Sequence, residues 1–144
     1  MSGRCFIDTN IFLYAHDVNF LEKRDSARQL ITDEYSSGTV SISTQVLAEF
    51  FQVFAGKFKL PYVVALKEIH FMSRCRVIEQ TLSLFFSGTA LFKRYSLSFW
   101  DAMIVAAALE ASADVLYTED LQHGMEIESL TIVDPFRNRA SAGA

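Results

Sequence analysis

The sequence holds little of what most often fixes a class at once. Its 144 residues include two cysteines, two prolines, six glycines and three histidines. Cys5 and Cys75 lie far apart without metal-ligand spacing, and read as buried free thiols suited to a reducing compartment. His16, His70 and His123 have no cysteine or histidine at metal-ligand spacing, so surface or capping roles are expected for them. Long hydrophobic runs are also missing. The longest, Ala102 to Leu109, is far shorter than the ~20 residues of a membrane span. Arg4 and Asp8 interrupt the N-terminus before a signal-peptide core could form. Basic charge is short as well: the formal net charge is −4, the wrong sign for holding nucleic acid mainly by a basic face. These shortages point to a soluble cytoplasmic protein, with no membrane association and any nucleic-acid role resting on local residues.

The apolar content is high. About half of the residues are hydrophobic and 13 are phenylalanine, enough for a dense core or for an apolar surface that a partner covers. The length suits a single domain over 1–136, with 137–144 as a flexible tail. No repeat, low-complexity tract or linker divides it.

Short apolar runs alternate with helical patterns. Cys5-Phe6-Ile7 predicts a strand that ends on Asp8-Thr9-Asn10, and a short helix follows. An amphipathic helix is expected over Asn19 to Tyr35, a strand over Val40 to Ser43, and a helix over Gln45 to Phe58 capped by Thr44. A helix from Tyr62 to Arg74 has Pro61 at its start. Val77-Ile78, Asp114 to Thr118 and Leu130 to Val133 read as strands, with helices over Leu82 to Tyr95 and Phe99 to Ala113. This alternation argues for a mostly parallel sheet with helices on both faces. Ligands of such sheets bind beyond the carboxyl ends of the strands, where right-handed crossovers bring Asp8 and Asp120 to one edge.

Four carboxylates are candidates for that edge, and each also has a structural explanation. Asp8 can start a turn or cap a helix. Glu49 falls roughly 40° beyond the apolar arc of its helix and could be solvated at the core boundary. Asp101 has Ile104, Val105 and Ala108 on its face, but Ser98-Phe99-Trp100-Asp101 also has capping-box spacing. Asp120 could cap a helical turn over Leu121-Gln122-His123, and strand alternation lets only one of Glu119 and Asp120 reach the edge. Taken together the four gain force. Clustered carboxylates raise one another's pKa values, and a fold tolerates them when a hard cation such as Mg²⁺ or Mn²⁺ neutralises the set. Such a metal activates water and stabilises phosphoryl charge, and two of them about 4 Å apart clamp both reacting oxygens.

The run Phe6-Ile7-Asp8-Thr9-Asn10-Ile11-Phe12-Leu13-Tyr14-Ala15 resembles the opening motif of PIN-domain ribonucleases, the VapC-type toxins of bacterial toxin–antitoxin pairs above all. Glu49 in Gln45-Val46-Leu47-Ala48-Glu49-Phe50 fits the second acidic position of that family. Asp101 in Phe99-Trp100-Asp101-Ala102-Met103-Ile104 fits the third, and Asp120 in Leu116-Tyr117-Thr118-Glu119-Asp120-Leu121 the fourth. The resemblance implies a three-layer α/β sandwich with a parallel sheet of about five strands. It implies Mg²⁺- or Mn²⁺-dependent cleavage of RNA by Asp8, Glu49, Asp101 and Asp120, a homodimer, and a cognate antitoxin. Thr9, Asn10 and Thr118 match the polar residues around the family's pocket and take metal-supporting or phosphate-orienting roles. Lys57, Lys59, Lys93 and Arg94 are further phosphate contacts or simply a solvated face. A haloacid-dehalogenase-like phosphatase wants a second aspartate where Asn10 stands. The competing reading is a catalytically inactive PIN-like module that binds RNA or protein.

Overall fold

The computed structural model describes residues 3–137. Six strands form one sheet in the order β3-β2-β1-β4-β6-β5. They are β1 (Cys5–Ile7), β2 (Val40–Ser43), β3 (Arg76–Ile78), β4 (Val115–Tyr117), β5 (Glu126–Ile127) and β6 (Leu130–Val133). All neighbours run parallel except β5, which pairs antiparallel with β6. The fold is thus the expected α/β sandwich, with six strands instead of about five. The extra strand, β5, is two residues long, too short to show a period. Glu128, with φ of 56°, turns the chain back into β6.

The helices are α1 (Thr9–Tyr14), α2 (Leu21–Ser37), α3 (Thr44–Gly56), α4 (Tyr62–Met72), α5 (Leu82–Tyr95) and α6 (Phe99–Glu110). Their positions follow the sequence pattern, with ends shifted by up to three residues. One cap is corrected. Ser43, not Thr44, caps α3, its Oγ accepting the N–H of Val46 at 3.4 Å. Strand β2 runs into α3 without a loop, so its last residue is also the cap. Helix α2 ends where Gly38 takes φ of 74°, a left-handed conformation that glycine adopts without a Cβ penalty. No helix forms over 121–123, so Asp120 caps none there. Of the expected tail, residues 138–144 lie outside the described residues.

The core explains the apolar surplus only in part. Phe6, Phe50 and Phe54 are fully buried, and α6 is buried on every side from Ala102 to Ala108, as a helix that is apolar all round must be. Gly88 of α5 lies so close to Met103 of α6 that an added Cβ would run into the Met103 sulfur. Other aromatics stay outside, including Phe86 and Trp100. Among the described residues no helix is long and apolar enough to cross a membrane.

The topology places the site. β1 is the inner strand between β2 and β4, all three parallel. Asp8 follows the end of β1, α3 follows β2 directly after its capping residue Ser43, and Thr118 to Asp120 follow β4. Their carboxyl ends thus meet around Asp8, the crevice position for ligands of open α/β sheets.

Candidate active site

Asp8 ends β1 with extended backbone (φ −78°, ψ 162°) and caps α1. It is 6% exposed, which for a carboxylate demands partners. Its Oδ1 accepts the N–H of Thr9 at 2.7 Å, and its Oδ2 accepts the hydroxyl of Thr118 at 2.9 Å. Loss of solvent nevertheless pushes the carboxyl up to about 7. The two hydrogen bonds work against the rise, and the charges of Asp120 and Glu49 add to it.

Two threonines extend the arrangement. Thr9 Oγ1 donates to Glu49 Oε1 at 2.9 Å, tying α1 to α3. Thr118 Oγ1, while donating to Asp8, accepts the N–H of Asp120 at 3.1 Å. The chain Glu49–Thr9–Asp8–Thr118–Asp120 therefore runs across β2, β1 and β4 through four hydrogen bonds. Asp101 stands in the first turn of α6, where its N–H donates to the Ser98 capping oxygen at 3.2 Å. Partial loss of solvent raises the Asp120 carboxyl, and the charges of Asp101, Glu119 and Glu49 raise it further. Asp101 joins the group by charge rather than by a hydrogen bond.

Glu119 belongs to another contact. Its Oε2 lies 2.8 Å from Lys23 Nζ, which also donates to the Tyr14 hydroxyl at 3.3 Å. The sequence places Lys23 only on the outer face of its helix, because a salt bridge between α2 and the β4 loop leaves no local pattern. His123 Nδ1 accepts the N–H of Asp134, so this histidine caps a loop. His16 pairs with Glu68 at 3.4 Å. Lys57, Lys59, Lys93 and Arg94 are exposed; Lys93 and Arg94 close the last turn of α5, where cations suit the helix dipole.

Does this set suit a hard divalent cation? Its donors are carboxylate and hydroxyl oxygens, and the Asp8 and Asp120 carboxyls are raised by loss of solvent first and by neighbouring carboxylates second, a state that Mg²⁺ or Mn²⁺ would relieve. Buried oxygens without donors also collect at the helix starts that follow β1 and β2. They are Asn10 Oδ1, Thr44 Oγ1 and Gln45 Oε1; such atoms call for water, ions or ligand. Against this, among the described residues no three acidic, cysteine or histidine side chains converge closely enough to hold one ion. The donors fit in kind, and Asp8, Glu49, Asp101 and Asp120 are the side chains that would hold such an ion.

Comparison with known proteins follows the same lines. The sequence matches the PIN domain family over residues 5–124. No significant match is found among curated proteins. Among solved structures, a toxin–antitoxin complex from Klebsiella pneumoniae is similar with TM-score 0.67 and 23% identity, over 91% of this chain and 97% of that one. VapC20 of Mycobacterium tuberculosis, a toxin that cleaves the sarcin-ricin loop, gives 0.63 and 22% over 81% and 89%. VapBC2 from Rickettsia felis, bound to a DNA fragment from its promoter, gives 0.60 and 23% over 89% and 96%. Likeness at this identity speaks to the fold.

Proposed function

The chain belongs to the PIN domain family, and from that premise we propose that it is a metal-dependent endoribonuclease, the toxin of a toxin–antitoxin pair. One observation carries the reading. At the carboxyl edge of a parallel sheet a buried Asp8, its carboxyl pushed up to about 7, feels the charges of Asp120 and Glu49, and Asp120 in turn feels those of Asp101 and Glu49. A carboxylate held out of water among like charges destabilises the metal-free fold, and function is a common reason for retaining it.

Asp8, Glu49, Asp101 and Asp120 would hold Mg²⁺ or Mn²⁺, which when bound activates a water and neutralises phosphoryl charge. The protein's own part is positional. The Thr9 N–H and the Thr118 hydroxyl fix both oxygens of Asp8. Thr9 also fixes one oxygen of Glu49 and leaves the other for ligand. Thr118 sets the start of the Asp120 loop. Asn10, with its unpartnered Oδ1 one residue beyond Thr9, takes an orienting role toward water or phosphate. Lys23 keeps Glu119 engaged elsewhere, so Asp120 serves as the fourth acid. The toxin–antitoxin neighbours support a cognate antitoxin as partner. Exposed Val63, Leu82 and Phe86 offer apolar surface for it or for a homodimer.

A second reading rests on the acids that do not converge: a PIN-like module that binds RNA or protein without cutting. Purified protein incubated with a pool of structured RNA, with Mg²⁺ or Mn²⁺ and with chelator, decides between them. The nuclease reading expects metal-dependent cutting that Asp8→Asn and Asp101→Asn abolish. Equal inertness of wild type and both variants on a pool containing tRNA and rRNA would leave the binding module.

A further inference from the structure

Beside the acids, a groove of about 560 Å³ opens between the first turns of α3 and α6. Its walls include Gln45, Glu49 and Gln52 from α3, Gln80 just past β3, and Trp100 from α6. Glu49 is shared: one wall of the groove is also the acid held by Thr9. Trp100 is the only tryptophan in the sequence and is 57% exposed. Its indole rests against the ring of Phe99 at 4.8 Å and 73°, and Phe99 lies 6.0 Å from Phe85. Gln45 Nε2 donates to the Trp100 carbonyl at 3.3 Å, anchoring the indole's backbone to α3. Gln45 itself is 7% exposed, and its Oε1 has no donor.

We propose that Trp100 and this groove form a nucleobase subsite, in which one base of a single-stranded RNA segment stacks on the indole beside the cleavage site. The subsite rests on the ribonuclease reading and names how that substrate is held. The lining chooses the occupant. Among the described residues no lysine or arginine lines the groove, and Glu49 repels anions, so the phosphate backbone is not what it takes. An apolar helix from a protein partner would bury the exposed amides of Gln52 and Gln80 and a carboxylate against its side chains, at a desolvation cost. A base offers a π face for the indole and a polar edge for the amides, and base–aromatic stacking tolerates any sequence. The Phe99 backing and the anchored backbone hold the indole in place before binding, which lowers the entropy lost on stacking.

The test uses Trp100 as its own probe. A short single-stranded RNA is titrated against full-length protein in chelator and low salt, and tryptophan fluorescence is read. The same RNA with one abasic position, walked along the strand, is then compared. Binding of labelled RNA and the KM for cleavage with Mn²⁺ are measured for Trp100→Ala and Trp100→Phe. Quenching by intact RNA that one abasic position removes is expected. Trp100→Ala should weaken binding, or raise KM, about 5- to 100-fold, and Trp100→Phe should recover most of it. Such quenching without any cutting would sustain the subsite and remove the nuclease. Cutting with no quenching, and with an unchanged KM in Trp100→Ala, would overturn the subsite, leave the nuclease standing, and give the groove to a protein partner. Quenching unaffected by every abasic position would overturn it too, and silence in both assays would remove both readings.

Discussion

The buried carboxylate of Asp8 makes a stability prediction that does not need RNA. In the unfolded chain its carboxyl titrates near 3.8, and in the folded protein near 7. The folded state therefore holds the proton more tightly. The stability Asp8 contributes is fully present below about pH 4, falls as pH rises through the range to about 7, and is flat above it. At about 1.4 kcal/mol per pH unit, the whole penalty is at most about 4 kcal/mol. Asp8→Asn removes the ionisation and keeps the shape. The amide oxygen still accepts from Thr9, while the amide N–H must find Thr118 as an acceptor, a change that adds a constant offset at every pH. The slope is thus the quantity to read. In urea melts of metal-free protein, the variant's stability relative to wild type should grow by about 2–3 kcal/mol between pH 5 and pH 8. A relative stability that stays constant, or that moves the other way, would refute the claim that Asp8 is held against its charged form.

Divalent metal should act on the same carboxylate with opposite sign. Millimolar Mg²⁺ or Mn²⁺ at pH 8 should raise the melting temperature of wild type by several degrees and leave Asp8→Asn unmoved, read by calorimetry. Thr118→Val removes the hydroxyl that joins Asp8 to the Asp120 loop; RNA cleavage should fall at least about tenfold with an unchanged circular dichroism spectrum. Lys23→Met frees Glu119 and should change cleavage less than about twofold, whereas an effect as large as that of Asp120→Asn would return Glu119 to the site. Two glycines should answer in opposite directions in thermal melts. Gly88→Ala forces a Cβ against buried Met103 and should cost about 1 kcal/mol after the helix-propensity gain. Gly56→Ala, with open space around it at the end of α3, should gain about 0.5 kcal/mol.

What the sequence made legible was set by how local each signal is. The strand Cys5–Ile7 before Asp8 and the apolar run of α6 are written in consecutive residues, and both stand where the pattern put them, although α6 is buried all round rather than on one face. The cap of α3 lies one residue before the position the sequence suggests, because a serine and a threonine in succession offer two caps. Only the absence of a loop after β2 decides between them. Strand β5 left no trace in the pattern, since two residues pair only because β6 is there to receive them. The partnership of Lys23 with Glu119 spans 96 residues, and the groove beside Trp100 draws its walls from α3, α6 and the end of β3. Features of that kind exist only after the chain has folded.

The two threonines show why the acids had to be read as a set. Alone, each carboxylate has an adequate structural account: Asp8 caps α1, Asp101 sits in the first turn of α6 under the Ser98 cap, and Glu49 and Asp120 lie at the surface side of the core. A capping aspartate, however, gains nothing from burial to 6% exposure, since caps work at the solvent edge as well as inside. A threonine that donates to one acid while accepting from the backbone of a second ties the ends of neighbouring parallel strands together beside the buried carboxylate. Stability alone would have replaced that carboxylate with an amide, which keeps the cap and loses the charge. The charge is what remains to be explained, and the proposed metal-dependent cleavage would put it to use at all four acids.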